Sequence, residues 1–243
     1  MKSCKEQLEQ QLAIDYDCTI EELHSKENIF RRLRLGEGAR PICGENAMLK
    51  IAIYNEKLLV MAQDSMMDWC KETFAGWRGT WFSEPQNLIL INKKLQEYGQ
   101  KLIDAHHYYI PSRNAQPMEP RFEVKWFEQD EIEAFRDDSR FDEALLFDEE
   151  TPDMLAVCAM EGDTILGMAS VTGDTDLVWQ IGVNVTPEGR GQGVGGYVTS
   201  LLKDEVMKRG YLPIYATVES HIKSQKVAFQ AGLEPAFYEV FSE

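Results

Sequence analysis

The sequence predicts an α/β (α+β) protein in two parts. A C-terminal half is built on a mixed sheet flanked by helices, and a smaller αβ domain precedes it. Three observations predict this. Residues 122–185 form a succession of apolar-rich runs broken by hairpin turns. They feed a glycine-dense turn that opens an amphipathic helix, and a strand–helix–strand pattern follows. Between the parts, Ile110–Pro120 places three prolines among polar residues, which describes a linker at 111–120. The charge changes at the same place. Residues 1–118 hold 15 basic and 16 acidic side chains, whereas residues 119–243 hold 10 and 25, a net of −15.

In the first part, residues 1–110, helices are expected at Cys4–Leu12 and Ile20–Ser25. Leu49–Tyr54 and Leu58–Ala62 read as a hairpin around Asn55-Glu56-Lys57. Asp64 is placed to cap a helix that runs to Phe74. Pro85 suits the first turn of a helix that ends before Gly99, and Leu102–Ile110 reads as a strand. His106 and His107 would point to opposite faces of that strand, which does not make a metal site. No nucleophile and base stand together in this part, and its function stays unassigned.

In the second part, residues 121–243, strands are expected at Phe122–Phe127, Met154–Met160, Thr164–Val171 and Leu177–Val185. Short helices are expected at Asp130–Phe135 and near Phe141–Leu146. Glu161-Gly162-Asp163 and Gly173-Asp174-Thr175-Asp176 supply the hairpin turns. After the glycine turn, Val194, Tyr197, Val198, Leu201, Leu202 and Val206 recur at helical spacing and should face the sheet. Gly210 fits the helix end. Pro213–Val218, a short helix ending at Gly232, and Ala236–Phe241 complete the chain.

The bulk numbers narrow the function. A net charge of −16 over 243 residues would repel nucleic acid. No apolar run approaches the roughly 20 residues that a membrane helix needs. The N-terminus lacks an apolar signal core, so the expected compartment is the cytoplasm. The five cysteines, Cys4, Cys18, Cys43, Cys70 and Cys158, form no C-x-x-C pair, so neither disulfides nor a cysteine zinc site is expected.

The most informative segment is Arg190-Gly191-Gln192-Gly193-Val194-Gly195-Gly196 between a β-type run and a helix. Glycines allow close backbone approach, several N–H groups can converge on one anion, and the helix start adds free donors. A phosphate-bearing ligand is implied. A P-loop would need a lysine with a hydroxyl neighbour after the glycines, and none is there. An NAD-type dinucleotide site is the rival, because Gly191–Gly196 spells G-x-G-x-x-G and Glu219 follows at a suitable distance. Against it, five residues separate Val185 from Gly191, and only 24 remain after Glu219, too few for a doubly wound sheet.

Arg190–Gly195 also resembles the [QR]-x-x-G-x-[GA] acetyl-CoA signature of the GNAT N-acetyltransferase superfamily. The preceding Val183-Asn184-Val185-Thr186-Pro187 is similar to that family's fourth strand, and His221–Leu233 resembles its second signature, N-x-x-[SA]-x-x-x-x-x-x-x-G-[FL]. The resemblance covers about residues 121–243. It implies a largely antiparallel GNAT-like sheet and an N-acetyltransferase that uses acetyl-CoA as co-substrate, without a metal. The backbone of Gly191, Gln192, Gly193, Val194, Gly195 and Gly196 would take the pyrophosphate, with Arg190 either helping or pairing with a surface acid. Val183 and Val185 would pair with pantetheine through their main chain, and an N–H near Val183 would polarise the thioester carbonyl. Gly182 would suit a bulge that opens the sheet.

The second signature departs from the family at His221, where asparagine is usual, and at Ala228, where many members carry a tyrosine. His221 could bond the cofactor arm or act as a base, and Ser224 could reach the cofactor. Direct attack by an amine needs a base, an oxyanion donor and a proton for the sulfur. Glu219, His221 and Tyr238 are the catalytic candidates, with Tyr197 an alternative acid and Gln180 a residue that could position the acceptor. The same departures leave open a non-enzymatic acyl-CoA-binding or sensory module. The acid-rich run Glu128–Asp153, which includes Asp137, Asp138 and Asp142, should attract a cationic acceptor. The expected partners are a small-molecule amine or a basic peptide, with neither nucleic acid nor membrane, and a homodimer is left open.

Overall fold

The computed structural model describes residues 2–44 and 46–243. In chain order the elements are α1 (Cys4–Asp15), α2 (Ile20–His24), β1 (Ile29–Arg32), β2 (Leu49–Tyr54), β3 (Lys57–Ala62), α3 (Asp64–Phe74), α4 (Pro85–Gln96) and β4 (Leu102–Pro111). There follow β5 (Glu123–Glu128), α5 (Gln129–Ile132), β6 (Asp153–Glu161), β7 (Thr164–Gly173), β8 (Val178–Val185), α6 (Val194–Lys208), β9 (Leu212–Val218), α7 (Ile222–Gln230) and β10 (Leu233–Ser242). The chain divides into two compact units. One is Tyr109–Pro235 with residues 2–4, and the other is Lys5–Tyr108 with Ala236–Glu243. Residues 236–243 therefore group with the N-terminal part rather than with 121–235, because Tyr238–Phe241 of β10 pair with Lys50–Ile53 of β2. Residues 113–122, after β4, carry no regular element.

Within the N-terminal unit the strand order is β1-β3-β2-β10-β4. β2 and β3 form the expected antiparallel hairpin, from Leu49↔Ala62 to Tyr54↔Lys57. Strand β1 is an addition to the sequence reading; it pairs in parallel with β3. One apolar cluster joins Leu49, Ile51, Leu58 and Val60 to Met66, Cys70 and Phe74 of α3 and to Ile91 and Leu95 of α4. Gln63, not Asp64, stands at the N-cap of α3, and Asp64 occupies its first turn.

A second buried group in this unit is ionic. Arg40 donates through Nε to Asp15 at 2.6 Å and through Nη2 to both Glu239 oxygens at 3.2 Å. The Arg40 backbone N–H and the Gln11 amide complete the Asp15 carboxylate at 2.9 and 2.8 Å. Tyr16 donates to Glu239, and Lys50 Nζ lies 3.9 Å from the same carboxylate. The guanidinium carbon lies 5.1 and 5.2 Å from the ring centroids of Tyr108 and Phe237. Arg40, Asp15, Glu239, Lys50 and Tyr16 are all buried.

In the other unit the order is β5-β6-β7-β8-β9. The first three pairings are antiparallel and only β8–β9 is parallel. This excludes the doubly wound parallel sheet of the dinucleotide reading. Helix α6 makes the crossover that a parallel pair requires. Val194, Tyr197, Val198, Leu202 and Val206 bury its inner face against Leu155, Val157, Ala169 and Ile181. The opposite face of the sheet is covered by Ile132, Phe141, Ala144 and Leu145. The helix expected near Phe141–Leu146 is only a 3₁₀ turn at Ser139–Phe141, and α5 gives way to 3₁₀ geometry at Glu133–Phe135. No described helix is long and apolar enough to cross a membrane.

Candidate functional site

The turn between β8 and α6 is anchored at its start, and Gly191 and Gln192 are exposed. Thr186 N–H and Oγ1 both bond the Leu166 carbonyl, at 3.0 and 3.1 Å. Gly191 and Gly193 both have φ of +77°, which an L side chain rarely adopts. Gly193 is the N-cap of α6 and offers no side-chain cap. The first helical bond is Tyr197 N–H to the Gly193 carbonyl at 3.1 Å. Among the described residues, the six consecutive N–H groups from Gly191 to Gly196 have no acceptor. Such a row at a helix start can serve to bind an anion. Gly195 serves packing as well, because a Cβ there would lie 3.1 Å from Val227 and 3.2 Å from Val185. Gln192 Nε2 bonds the Glu188 carbonyl at 2.8 Å, and hydrogen bonds from its own backbone and from Thr186, then the charges of Arg140 and Arg190, hold the Glu188 carboxyl below its ordinary range.

Beside the turn, the sheet opens. The β8–β9 ladder runs from Val178↔Leu212 to Ile181↔Tyr215 and stops there. β8 continues to Val185 and stays paired with β7 on its other edge, up to Gly167↔Val185. The edge of Gly182–Val185 that faces β9 is therefore unpaired with that strand, and Val183 and Val185 lie on this edge. Gly182 does not mark a bulge, since the β7–β8 register is regular through it. Its reason is close approach: a Cβ there would lie 2.2 Å from the Glu143 carbonyl oxygen. Asn184 completes that contact, its Oδ1 accepting from the N–H groups of Glu143 and Ala144 at 3.0 and 2.6 Å. The acidic segment Asp142–Ala144 is thus pinned across the open end of β8.

Polar side chains gather at the point where the ladder ends. Tyr215 Oη lies 2.6 Å from Ser224 Oγ on α7. Tyr109 approaches Tyr215 edge-on, with ring centroids 6.4 Å apart. Burial pushes the Tyr215 phenol above its ordinary range; the Ser224 hydrogen bond lowers it, and the charges of Glu143 and Tyr109 add to the rise. Burial, then the Glu219 charge, raises Tyr109. Glu219 stands just after β9, and its carbonyl accepts from the Gln225 amide at 2.8 Å. His221 is the exposed N-cap of α7. Tyr215, Tyr109 and Glu143 are additions to the residues singled out in the sequence.

Residues 118–231 match the model of the acetyltransferase (GNAT) family. This segment is a GNAT domain. Comparison with curated proteins finds no match. Among solved structures, a GNAT-family acetyltransferase from Colwellia psychrerythraea is 15% identical with a TM-score of 0.48, over 100% of this chain and 97% of that one. A GNAT-family protein from Novosphingobium aromaticivorans DSM 12444 is 13% identical with a TM-score of 0.40, over 59% of this chain and 66% of that one. A protein from Salmonella typhimurium, solved with its cofactor acetyl-CoA, is 12% identical with a TM-score of 0.37, over 50% and 92%.

The GNAT domain brings Glu219, His221 and Ser224 to the end of β9 and the start of α7, and the glycine turn to the start of α6. Ala228 is the buried residue of α7, and its side chain presents no polar atom. Tyr197 Oη is engaged with the backbone of residues 121 and 122, accepting from Arg121 N–H at 3.4 Å and lying 3.5 Å from the Phe122 carbonyl. Tyr238 belongs to the N-terminal unit, where it stands opposite Ile53 with its ring 6.2 Å from Phe82 and 5.1 Å from His107. Gln180 lies in the paired part of β8, opposite Thr172 and Ile214. Among the described residues, no group of three His, Cys, Asp or Glu side chains could hold a metal ion.

Proposed function

We propose that the GNAT domain is an N-acetyltransferase that moves an acetyl group from acetyl-CoA to the primary amine of a cationic acceptor. The observation that carries this reading is the row of six N–H groups without an acceptor, set beside a parallel strand pair that parts at Ile181 and Tyr215. A pyrophosphate fits the first and an amide-bearing arm fits the second. Acetyl-CoA, when bound, supplies an acetyl group activated as a thioester.

The chain's residues then divide the work. The N–H groups of Gly191–Gly196 hold the pyrophosphate, and the free edge of Val183–Val185 bonds the pantetheine amides as a neighbouring strand would. An N–H on that edge polarises the thioester carbonyl. Glu219 takes a proton from the incoming ammonium, directly or through water. The Tyr215 phenol, held by Ser224 and kept protonated by its raised pKa, donates a proton to the departing sulfur. Ala228 cannot supply this proton, so Tyr215 fills the role from the adjacent strand. Tyr215→Phe is expected to lower kcat about 100-fold, the usual scale for a general acid, with the acetyl-CoA dissociation constant nearly unchanged. Ser224→Ala, which leaves the phenol in place, should cost less. Steady-state kinetics with calorimetry on both variants would separate this from a packing role, in which the two substitutions act alike.

The acidic run contributes to acceptor choice through few of its members. Glu133 is tied to Arg136, Asp138 to Arg140, and Glu128 to Arg209. Asp153 accepts from the N–H groups of Leu146 and Phe147. Asp142 and Glu143 are exposed at the mouth of the β8 edge. They are the acids proposed to draw the cation. Asp142→Asn with Glu143→Gln should raise KM for a polyamine about threefold or more, and raised salt should do the same to the wild type. A KM indifferent to both would reduce the acids to a solvated surface.

The test of the whole reading is CoA release from acetyl-CoA with a panel of amines, beside calorimetry of CoA binding. Binding with no turnover on any amine would favour an acyl-CoA-binding module.

A further inference from the structure

We propose that Arg121, outside both signatures, is the side chain that holds the cofactor pyrophosphate over the glycine turn. This rests on the reading of that turn as an acyl-CoA site and adds a residue that the glycine pattern does not contain. Arg121 Nη1 lies 3.2 Å from the place a Cβ would take on Gly193. The guanidinium thus hangs beside the N-cap of α6, against the row of free N–H groups.

Its position is built by neighbouring residues. Arg121 N–H donates to Tyr197 Oη at 3.4 Å, and the same hydroxyl lies 3.5 Å from the Phe122 carbonyl. The Phe122 and Tyr197 rings meet edge-on at 5.3 Å. Tyr197 sits in the first turn of α6, so the helix that presents the N–H groups also fixes the backbone of Arg121. The guanidinium carbon lies 5.4 Å from the Phe122 ring centroid, which restrains its direction.

Charge makes the placement consequential. Residues 119–243 carry a net charge of −15, and a ligand with several phosphate charges needs local cations to enter that field. Arg136, Arg140, Lys203, Lys208 and Arg209 are each paired with a carboxylate. Arg121, like Arg190 of the turn itself, makes no ion pair among the described residues, and its guanidinium lies against Gly193. A planar guanidinium also matches phosphate oxygens in pairs, which an ammonium does not.

The experiment is calorimetric titration of the full chain and Arg121→Gln with CoA, 3′-dephospho-CoA and pantetheine. The substitution should weaken CoA about tenfold, weaken 3′-dephospho-CoA by the same factor, and leave pantetheine unchanged. Arg121→Lys should recover part of the loss. Because Arg121 is exposed, the melting temperature without ligand should not move. Equal CoA affinity in wild type and Arg121→Gln would overturn the assignment, as would a loss that vanishes with 3′-dephospho-CoA or persists with pantetheine. A wild type that binds pantetheine and CoA equally would also overturn it. A wild type with no CoA affinity would instead overturn the cofactor reading on which the assignment stands.

Discussion

Gly193→Asp is expected to abolish measurable CoA binding, a loss of 100-fold or more, while the domain stays folded. Three effects act together. The new carboxylate would stand at the N–H groups of Gly191–Gly196 and bond donors that a phosphate would use. Its charge repels the pyrophosphate at close range. Its Cβ would lie 3.2 Å from Arg121 Nη1, so the aspartate captures the guanidinium as well. The fold should survive, because aspartate is among the few residues that tolerate a φ of +77° and an N-cap aspartate suits a helix start. Gly193→Asn separates the contributions: it has nearly the same shape and backbone tolerance without the charge, and should bind CoA more tightly than Gly193→Asp. Calorimetry on the three proteins reads this directly. Equal CoA affinity for wild type and Gly193→Asp would remove the glycine turn from the cofactor site.

What the sequence made legible follows the range of the interactions. Local patterns carried well. The hairpins, the α6 face and the glycine turn depend on residues close in the chain, and the structure places them within a residue or two of expectation, as with β8 at Val178–Val185 and α6 at Val194–Lys208. Strand β1 escaped because four residues, Ile29–Arg32, show too few alternations to register a period, and its partner β3 lies well downstream. The meaning of Gly182 was misread for a related reason. A mid-strand glycine signals either a bulge or a close approach, and only the fold shows the Glu143 carbonyl against it. Tyr215 and Arg121 were out of reach, since their partners, Ser224 and the glycine turn, come to them only through the β8–α6–β9 crossover and the path of residue 121. Tyr238 shows the converse. Read in sequence it follows the second signature, yet its strand pairs with β2, and its ring packs with Phe82 and His107.

The buried ionic group of the N-terminal unit was the least legible feature, since Asp15, Arg40 and Glu239 lie far apart in the chain and no local pattern joins them. It should also give the largest stability effect. Arg40→Met is expected to destabilise this unit by about 3–5 kcal/mol at neutral pH, the range for breaking a buried pair by removing one partner. Methionine fills space against Tyr108 and Phe237 but leaves Asp15 and Glu239 buried with Lys50 as the remaining cation. The dependence on pH should invert. In the wild type, burial pushes the Asp15 carboxyl up, but Arg40, Lys50 and the hydrogen bonds of Arg40 and Gln11 outweigh it and hold the carboxyl below its ordinary range. A depressed carboxyl adds stability that is present above the unfolded value, about 3.9, and is lost as pH falls through the folded one. In Arg40→Met the main opposing charge is gone, burial prevails, and the carboxyl is held above its unfolded value. Its contribution is then unfavourable at pH 7 and fades as pH falls towards 4. The gap between variant and wild type should therefore narrow on mild acidification. Hydrogen exchange of the β2 and β10 amides at pH 7 and pH 5 isolates this unit. A gap that is small at pH 7, or that widens at pH 5, would mean that Arg40 holds the unit by packing on its rings rather than by balancing Asp15 and Glu239.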